Sequence, residues 1–140
     1  MRTLSKIFLL FILILCFSCE DKGIIVKCED CLSEEPINTT LDVKLDLSDY
    51  GFLPALITVY EGNIEDSVVY DSFSINSETT SITVSINKKY TVTATYYIPD
   101  DYYIAVDSAT PKVRYEKSQC SDPCYFVYDK SINLRLKYTK

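Results

Sequence analysis

Hydrophobic and polar residues alternate with a period of two along most of the chain after residue 38. The first such segment, L-D-V-K-L-D-L at 41–47, separates each leucine or valine from the next by a charged residue. This alternation is typical of β-strands with one buried and one solvated face. Similar or shorter segments predict further strands at 55–60, 68–75, 81–86, 90–98, 102–106, 112–116, 125–128 and 132–138.

The segment 90–98, Y-T-V-T-A-T-Y-Y-I, carries the strongest strand signal. It has β-branched and aromatic residues on both faces, as a central strand requires. No window after Cys19 has the periodicity of an amphipathic helix. Seven or more short strands separated by turn residues predict an all-β fold, an antiparallel β-sandwich of about seven strands in residues 37–140.

The N-terminus follows a different pattern. Arg2 and Lys6 precede an unbroken apolar run at 7–17, and Ser18 and Cys19 end it. A membrane-spanning helix needs ~20 apolar residues, whereas a signal-peptide core needs only ~7–15. The run therefore predicts a cleaved signal peptide of residues 1–18.

The residues C-F-S-C at 16–19 resemble the lipobox of bacterial lipoproteins, in which a small residue precedes the lipid-bearing cysteine. The resemblance implies that Cys19 carries acyl chains such as palmitate and attaches the protein to a membrane. Cys16 is the alternative acceptor. A secretory signal without lipid is the other interpretation.

Residues 19–36 form an acidic tether that ends at Pro36. Glu20 and Asp21 directly follow the predicted lipid site, and they resemble the acidic signal that directs Bacteroidota-type lipoproteins to the cell surface. The resemblance implies an outer-membrane protein exposed on the cell surface. A periplasm-facing protein, in which these acids are ordinary solvated linker charges, is the alternative.

Charge and composition exclude several functions. The net charge is −6, and it becomes −8 without residues 1–18, which hold two basic and no acidic residues. An acidic chain repels phosphate backbones, so nucleic acid is not an expected partner. There is no histidine, which removes histidine-based catalysis and histidine metal sites, and three glycines provide no phosphate-binding loop. No cofactor is expected.

Four cysteines remain after the lipid site: Cys28, Cys31, Cys120 and Cys124. An even number in an exported domain predicts two disulfides, although the C-x-x-C and C-x-x-x-C spacings also suit a four-thiolate zinc site. The oxidising compartment argues against zinc. Long-range bridges restrict the unfolded chain far more than local ones. We therefore expect crossed pairing, with Cys28 to Cys124 and Cys31 to Cys120 as the favoured arrangement.

The lipobox together with C-E-D-C, Y-T-V-T-A-T-Y, C-S-D-P-C-Y and the terminal N-L-R-L-K-Y resembles small lipoproteins of the Bacteroidota. The resemblance implies an immunoglobulin-like or transthyretin-like sandwich and no particular activity. Two triplets, at 66–68 and 107–109, resemble the O-glycosylation signal of such exported proteins, with Ser67 and Ser108 as acceptors.

Twelve tyrosines offer candidate contact residues. Tyr97, Tyr102 and Tyr103 predict an aromatic binding face, because tyrosine rings are large, stiff and carry a polar group. Tyrosine is also a good core and cross-strand residue, which is the alternative. We therefore expect a membrane-anchored, non-enzymatic binding or structural module with a protein or glycan partner. The alternatives are a glycan-binding accessory module and a small hydrolase that uses carboxylates such as Asp100 and Asp107.

Overall fold

The computed structural model describes residues 27–47, 54–117, 120, 122 and 124–136. They form nine strands: β1 Asn38–Lys44, β2 Ala55–Glu61, β3 Val69–Ile75, β4 Thr79–Ser85, β5 Tyr90–Ile98, β6 Asp101–Ala109, β7 Lys112–Glu116, β8 Cys124–Tyr128 and β9 Ser131–Asn133. The helical segments of this part are two three-residue 3-10 turns, Cys28–Asp30 and Ile64–Asp66. The predicted all-β class is confirmed, with nine strands in place of about seven.

Two sheets face each other. One has the order β4-β1-β9 and the other the order β3-β2-β5-β6, while β7 and β8 form a separate two-stranded sheet. All pairings are antiparallel except that of β1 with β9.

The described residues contain no helix that is long and apolar enough to cross a membrane.

The core lies between the two sheets and is filled from alternate positions of their strands. The predicted inward residues of β1, β4 and β5 are buried: Leu41, Val43, Ile82, Val84, Tyr90, Val92, Ala94 and Tyr96. They form one cluster with Ala55, Ile57 and Val59 of β2. The period-two alternation therefore assigned these faces correctly.

A tight hairpin joins β5 to β6 and aligns their side chains. Ile98 pairs with Asp101, so only Pro99 and Asp100 lie between the strands. Asp100 has a φ of 66°, a left-handed conformation that aspartate adopts more readily than most residues. A proline at the second position and a residue with positive φ at the third position are typical of a type II turn. This turn sets the register in which Tyr97 lies opposite Tyr102.

The last strand is shorter than the predicted 132–138. β9 ends at Asn133 because its partner β1 ends at Lys44, and the Leu134 N–H donates the final hydrogen bond to the Lys44 carbonyl at 2.8 Å. The predicted inward residues Ile132 and Leu134 are nevertheless fully buried. Residues 137 and 138 of the predicted strand lie outside the described residues.

Candidate binding face

The outward side chains of the β3-β2-β5-β6 sheet form a surface without a charged residue, which we call the uncharged face. Register pairs identify its members as Leu56, Thr58 and Tyr60 of β2, Val69, Ser72 and Ser74 of β3, Thr91, Thr93, Thr95 and Tyr97 of β5, and Tyr102, Ile104, Val106 and Ser108 of β6. Almost a quarter of the chain is charged, so a face of this size without charge is a distinct feature of the molecule.

The opposite outer surface has a different character. The outward positions of the β4-β1-β9 sheet carry only polar or charged side chains, including Asp42 and Lys44. Lys130 lies 3.7 Å from the Asp42 carboxylate across this surface. The sandwich therefore has one ordinary solvated side and one uncharged side.

Besides Val69 of β3, which is 56% exposed, the strongly exposed apolar residues of the uncharged face lie on β5 and β6. Tyr97 is 44% exposed, Tyr102 57%, Ile104 55% and Val106 52%. Tyr97 and Tyr102 are directly opposite in the register, so their side chains are neighbours on one surface. The structure thus brings together two of the three predicted tyrosines.

The third predicted tyrosine, Tyr103, is not part of this face. It pairs with Tyr96 and packs partly buried against the core. Successive side chains of a strand point to opposite sides, so Tyr102 and Tyr103 cannot share a surface while both lie within β6. The predicted three-tyrosine face is therefore corrected to Tyr97 and Tyr102.

The orientation of β6 is the feature that sequence patterns did not predict. Its larger aliphatic residues, Ile104 and Val106, point to solvent, whereas Ala105 and Asp107 point inward. The inward carboxylate of Asp107 accepts hydrogen bonds from the Asn133 N–H at 2.7 Å and from the Ser108 N–H at 2.9 Å. The bond from Asn133 links β6 to β9 of the facing sheet, and both bonds stabilise the carboxylate in its position.

The hydroxyl groups in the middle of the uncharged face are engaged within the sheet. The Thr91 hydroxyl donates to the Gly62 carbonyl at 2.6 Å, and the Thr93 hydroxyl donates to the Thr58 carbonyl at 3.4 Å. The hydroxyls of Thr58 and Ser72 lie 3.3 Å apart. These hydroxyls therefore have partners within the protein, and Thr91 is itself buried, with 6% of its surface exposed.

The cysteine pairs form two long-range disulfides, Cys28 to Cys120 and Cys31 to Cys124. The predicted crossed pairing is confirmed, but the favoured assignment of partners was wrong. The cause is a backbone bridge in which Leu32 and Tyr125 exchange hydrogen bonds of 2.9 and 3.0 Å. This bridge places Cys31 beside Cys124. Cys28 lies one turn earlier in the chain and therefore pairs with the remaining cysteine, Cys120.

The carboxylates proposed for hydrolysis do not meet. Asp100 lies in the β5–β6 turn and Asp107 lies seven positions further along, near the other end of β6. At ~3.4 Å per residue they are separated by ~24 Å, whereas paired glycosidase carboxylates lie ~5–9.5 Å apart. Within the part of the chain that the structure describes, the one group of three or more potential metal ligands consists of cysteines.

The two candidate O-glycosylation sites lie in different settings. Ser67 is exposed in the turn after the second 3-10 segment, with a φ of 56°. Ser108 lies within β6 opposite Thr91, on the uncharged face. A turn is more accessible to a modifying enzyme than a paired strand, so Ser67 is the better placed of the two.

The predicted lipid site Cys19 and the acidic residues Glu20 and Asp21 lie outside the described residues.

Comparison of the chain with protein-family models, with curated proteins and with solved structures found no match.

Proposed function

We propose that this protein is an exported lipoprotein whose β-sandwich is a non-enzymatic binding module, and that the uncharged face contacts a protein partner. The observation that carries the proposal is the orientation of β6. A strand that exposes Ile104 and Val106 and turns Asp107 inward gives up the usual advantage of burying its aliphatic residues in the core.

A partner protein that covers Ile104 and Val106 would recover the free energy gained when such aliphatic side chains are buried. Burial of apolar surface contributes roughly 25 cal/mol per Å², and contiguous exposed apolar patches mark interaction sites. Tyr97 and Tyr102 add aromatic rings, which are enriched at the centres of protein interfaces. The strand positions of this face carry no charged side chain, so a partner covers few ionic groups there; Glu65 and Lys89 border the face beside Val106 and Ser108.

Membrane attachment completes the proposal. The signal-like N-terminus supports lipid attachment at Cys19, and Glu20 and Asp21 support export to the outer face of the outer membrane. A periplasm-facing orientation is the alternative. In both cases the anchor confines the sandwich to the membrane surface, which raises the local concentration of the module near a membrane-associated partner.

A glycan partner is the second candidate, and the Tyr97–Tyr102 pair favours it because adjacent rings offer a stacking surface for sugars. The internal hydrogen bonds of Thr91 and Thr93 favour the protein partner, since a glycan needs free polar groups on the protein.

Site-specific photocrosslinking in the producing cells tests the proposal. A photoreactive residue at Ile104 should give a discrete crosslinked protein, and the same residue at Thr83, which is exposed on the opposite sheet, serves as the matched control. A second change, Val106→Lys, should weaken the Ile104 crosslink several-fold while leaving expression unchanged. Identical products at both positions, or none at Ile104, would contradict the proposed interface. An adduct that glycosidases remove would favour the glycan candidate.

A further inference from the structure

The hairpin of β7 and β8 carries an apolar surface of its own. Register pairs place Tyr115 opposite Tyr125 and Val113 opposite Val127, so these four side chains share one side of the hairpin. The backbone bridge between Leu32 and Tyr125 adds the Leu32 side chain to the same side. We call these five side chains the hairpin face.

The hairpin face lies apart from the main core of the described residues. Neither the core cluster nor the partly buried residues packed against it include any of its five members. Leu32 and Tyr115 are each 45% exposed, and the other three are half-buried. The rings of Tyr115 and Tyr125 contact each other, with centroids 4.9 Å apart. The face therefore keeps apolar surface that a further contact can bury.

The disulfides hold this hairpin close to the predicted lipid site. The bridge from Cys28 to Cys120 joins the start of the described chain to the connection between β7 and β8, and the bridge from Cys31 to Cys124 joins it to the first residue of β8. Cys28 follows Cys19 by nine residues, which span at most ~32 Å when fully extended. Acyl chains on Cys19 would therefore confine the hairpin to about that distance from the membrane surface.

The chemistry of the hairpin face suits the boundary between lipid headgroups and acyl chains. Tyrosine is enriched at this boundary because its ring is apolar and its hydroxyl remains hydrated, and aliphatic side chains enter the outer part of the acyl region. The exposed charges nearby are of both signs, with Lys27 and Lys117 on one side of the balance and Glu29 and Asp30 on the other. Attraction to charged headgroups should therefore contribute little compared with the apolar side chains.

We propose that the hairpin face is a second membrane contact, which places Leu32 and Tyr115 in the headgroup region of the bilayer that holds the lipid anchor. This inference rests on lipid attachment at Cys19, which is part of the proposed function. Stable attachment commonly combines two membrane signals. A lipid anchor alone lets the sandwich rotate about its tether, whereas a second contact fixes which surfaces point away from the membrane.

Tryptophan fluorescence in vesicles tests this contact. The chain has no tryptophan, so Tyr115→Trp provides a single reporter on the hairpin face. Tyr102→Trp is the matched control, because it also replaces an exposed strand tyrosine but lies seven positions before Ala109, ~24 Å from the end of β6 that leads to the hairpin. Each variant, purified with its native anchor from the producing cells, is placed in phosphatidylcholine vesicles with or without bromine on the acyl chains.

Bromine on the acyl chains should remove most of the Tyr115→Trp emission, and that emission should lie at shorter wavelength than in solution. The emission of Tyr102→Trp should change little. Adding Leu32→Asp to Tyr115→Trp should abolish the quenching and leave the circular dichroism unchanged, because Leu32 bonds Tyr125 through backbone atoms. Equal quenching at both reporter positions would overturn the proposal. So would a wavelength shift that appears without vesicles as the protein concentration rises, which indicates self-association in place of membrane contact.

A second anchor separates this result from the question of lipid attachment. The chain has no histidine, so a hexahistidine tag in place of residues 1–18, combined with Cys19→Ser, holds the protein to vesicles that contain a nickel-chelating lipid. Quenching of Tyr115→Trp in this form supports the hairpin contact even if mass spectrometry finds no acyl chain on the cellular protein, a result that would contradict only the lipid site. An acylated protein whose Tyr115→Trp emission is not quenched would overturn the hairpin contact and leave the lipid site in place.

Discussion

The Tyr96 hydroxyl donates a hydrogen bond of 2.7 Å to the Leu134 carbonyl and accepts one of 3.3 Å from the Asp46 N–H. Tyr96 belongs to β5 of one sheet, while Asp46 and Leu134 follow β1 and β9 of the other. One buried side chain therefore satisfies two backbone groups at the point where the strands of the facing sheet end. These two hydrogen bonds connect the two sheets of the sandwich by a polar contact within an apolar core.

Tyr96→Phe should lower the free energy of unfolding by about 1–3 kcal/mol, because it removes the hydroxyl that donates to the buried Leu134 carbonyl and accepts from the Asp46 N–H. The ring itself is retained, so packing changes little. Urea unfolding followed by circular dichroism measures the effect. Tyr102→Phe is the control: its ring is exposed, so the change should stay within about 0.5 kcal/mol. Equal effects of the two changes would mean that the Tyr96 bonds do not stabilise the fold.

The same residue should make the protein sensitive to alkali. Burial raises the pKa of the Tyr96 phenol above its ordinary value of 10.0. The folded state therefore favours the neutral phenol. This contribution is complete below the pKa of the unfolded chain and is lost as the pH rises through the higher pKa of the folded state. The difference in unfolding free energy between wild type and Tyr96→Phe should be constant at neutral pH and shrink above about pH 10. A constant difference across that range would contradict the assignment.

Much of the fold could be predicted because the sequence alternates where only one strand face is buried. The bounds of β5 were predicted to the residue, and Leu41, Val43, Ile82 and Val84 lie in the core as expected. In β1 and β4 the larger apolar residues all point the same way, so the period-two pattern itself identifies the inner face.

β6 shows why the binding face could not be predicted in the same way. By size and polarity, Ile104 and Val106 were better core candidates than Ala105 and Asp107. The register from the Pro99–Asp100 turn decides otherwise, because it pairs Ala105 with the inward Ala94 and directs Asp107 to the Asn133 N–H. The contact of Asp107 with Asn133 joins distant parts of the chain, which no local pattern contains. The assignment of cysteine partners failed for the same reason, since it depends on the Leu32–Tyr125 bridge.

Cys19→Ser should release the protein from membranes. Several acyl chains, each contributing about 0.8 kcal/mol per buried methylene, give a stable attachment that a serine cannot carry. Fractionation of cells and metabolic labelling with a fatty-acid probe measure the outcome. If the variant stays in the membrane fraction and still incorporates label, the lipid site lies elsewhere, and Cys16→Ser is the next variant to test.

The acidic pair after Cys19 should control which side of the membrane displays the domain. Replacement of Glu20 and Asp21 by alanine should leave the protein lipidated but protected from protease added to intact cells, whereas the wild type is digested. Replacement of Glu34 and Glu35, two acids at the other end of the tether, is the matched control and should not change accessibility. If both variants are digested like the wild type, the pair has no role in export.

The two disulfides should stabilise the fold in a non-additive way. Each closes a loop of more than ninety residues, with sequence separations of 92 and 93. In the chain-entropy model the first bridge contributes about 4–5 kcal/mol, whereas the second then closes only a loop of roughly ten residues and adds about 2–3 kcal/mol. Either pair changed alone, Cys28→Ala with Cys120→Ala or Cys31→Ala with Cys124→Ala, should therefore cost about 2–3 kcal/mol, and both together about 7 kcal/mol.

Peptide mapping of the oxidised protein must first establish the pairing in solution. A protease that cuts on the amino side of aspartate cleaves before Asp30 and before Asp122 and avoids the bond to Pro123, which separates the two cysteines of each local pair. Cys28 should then appear in a peptide bridged to Cys120, and Cys31 in one bridged to Cys124. Unfolding of the two double variants and the quadruple variant in denaturant follows. A cost of about 4–5 kcal/mol for each pair alone would mean that the bridges act independently, which their closeness in space does not allow.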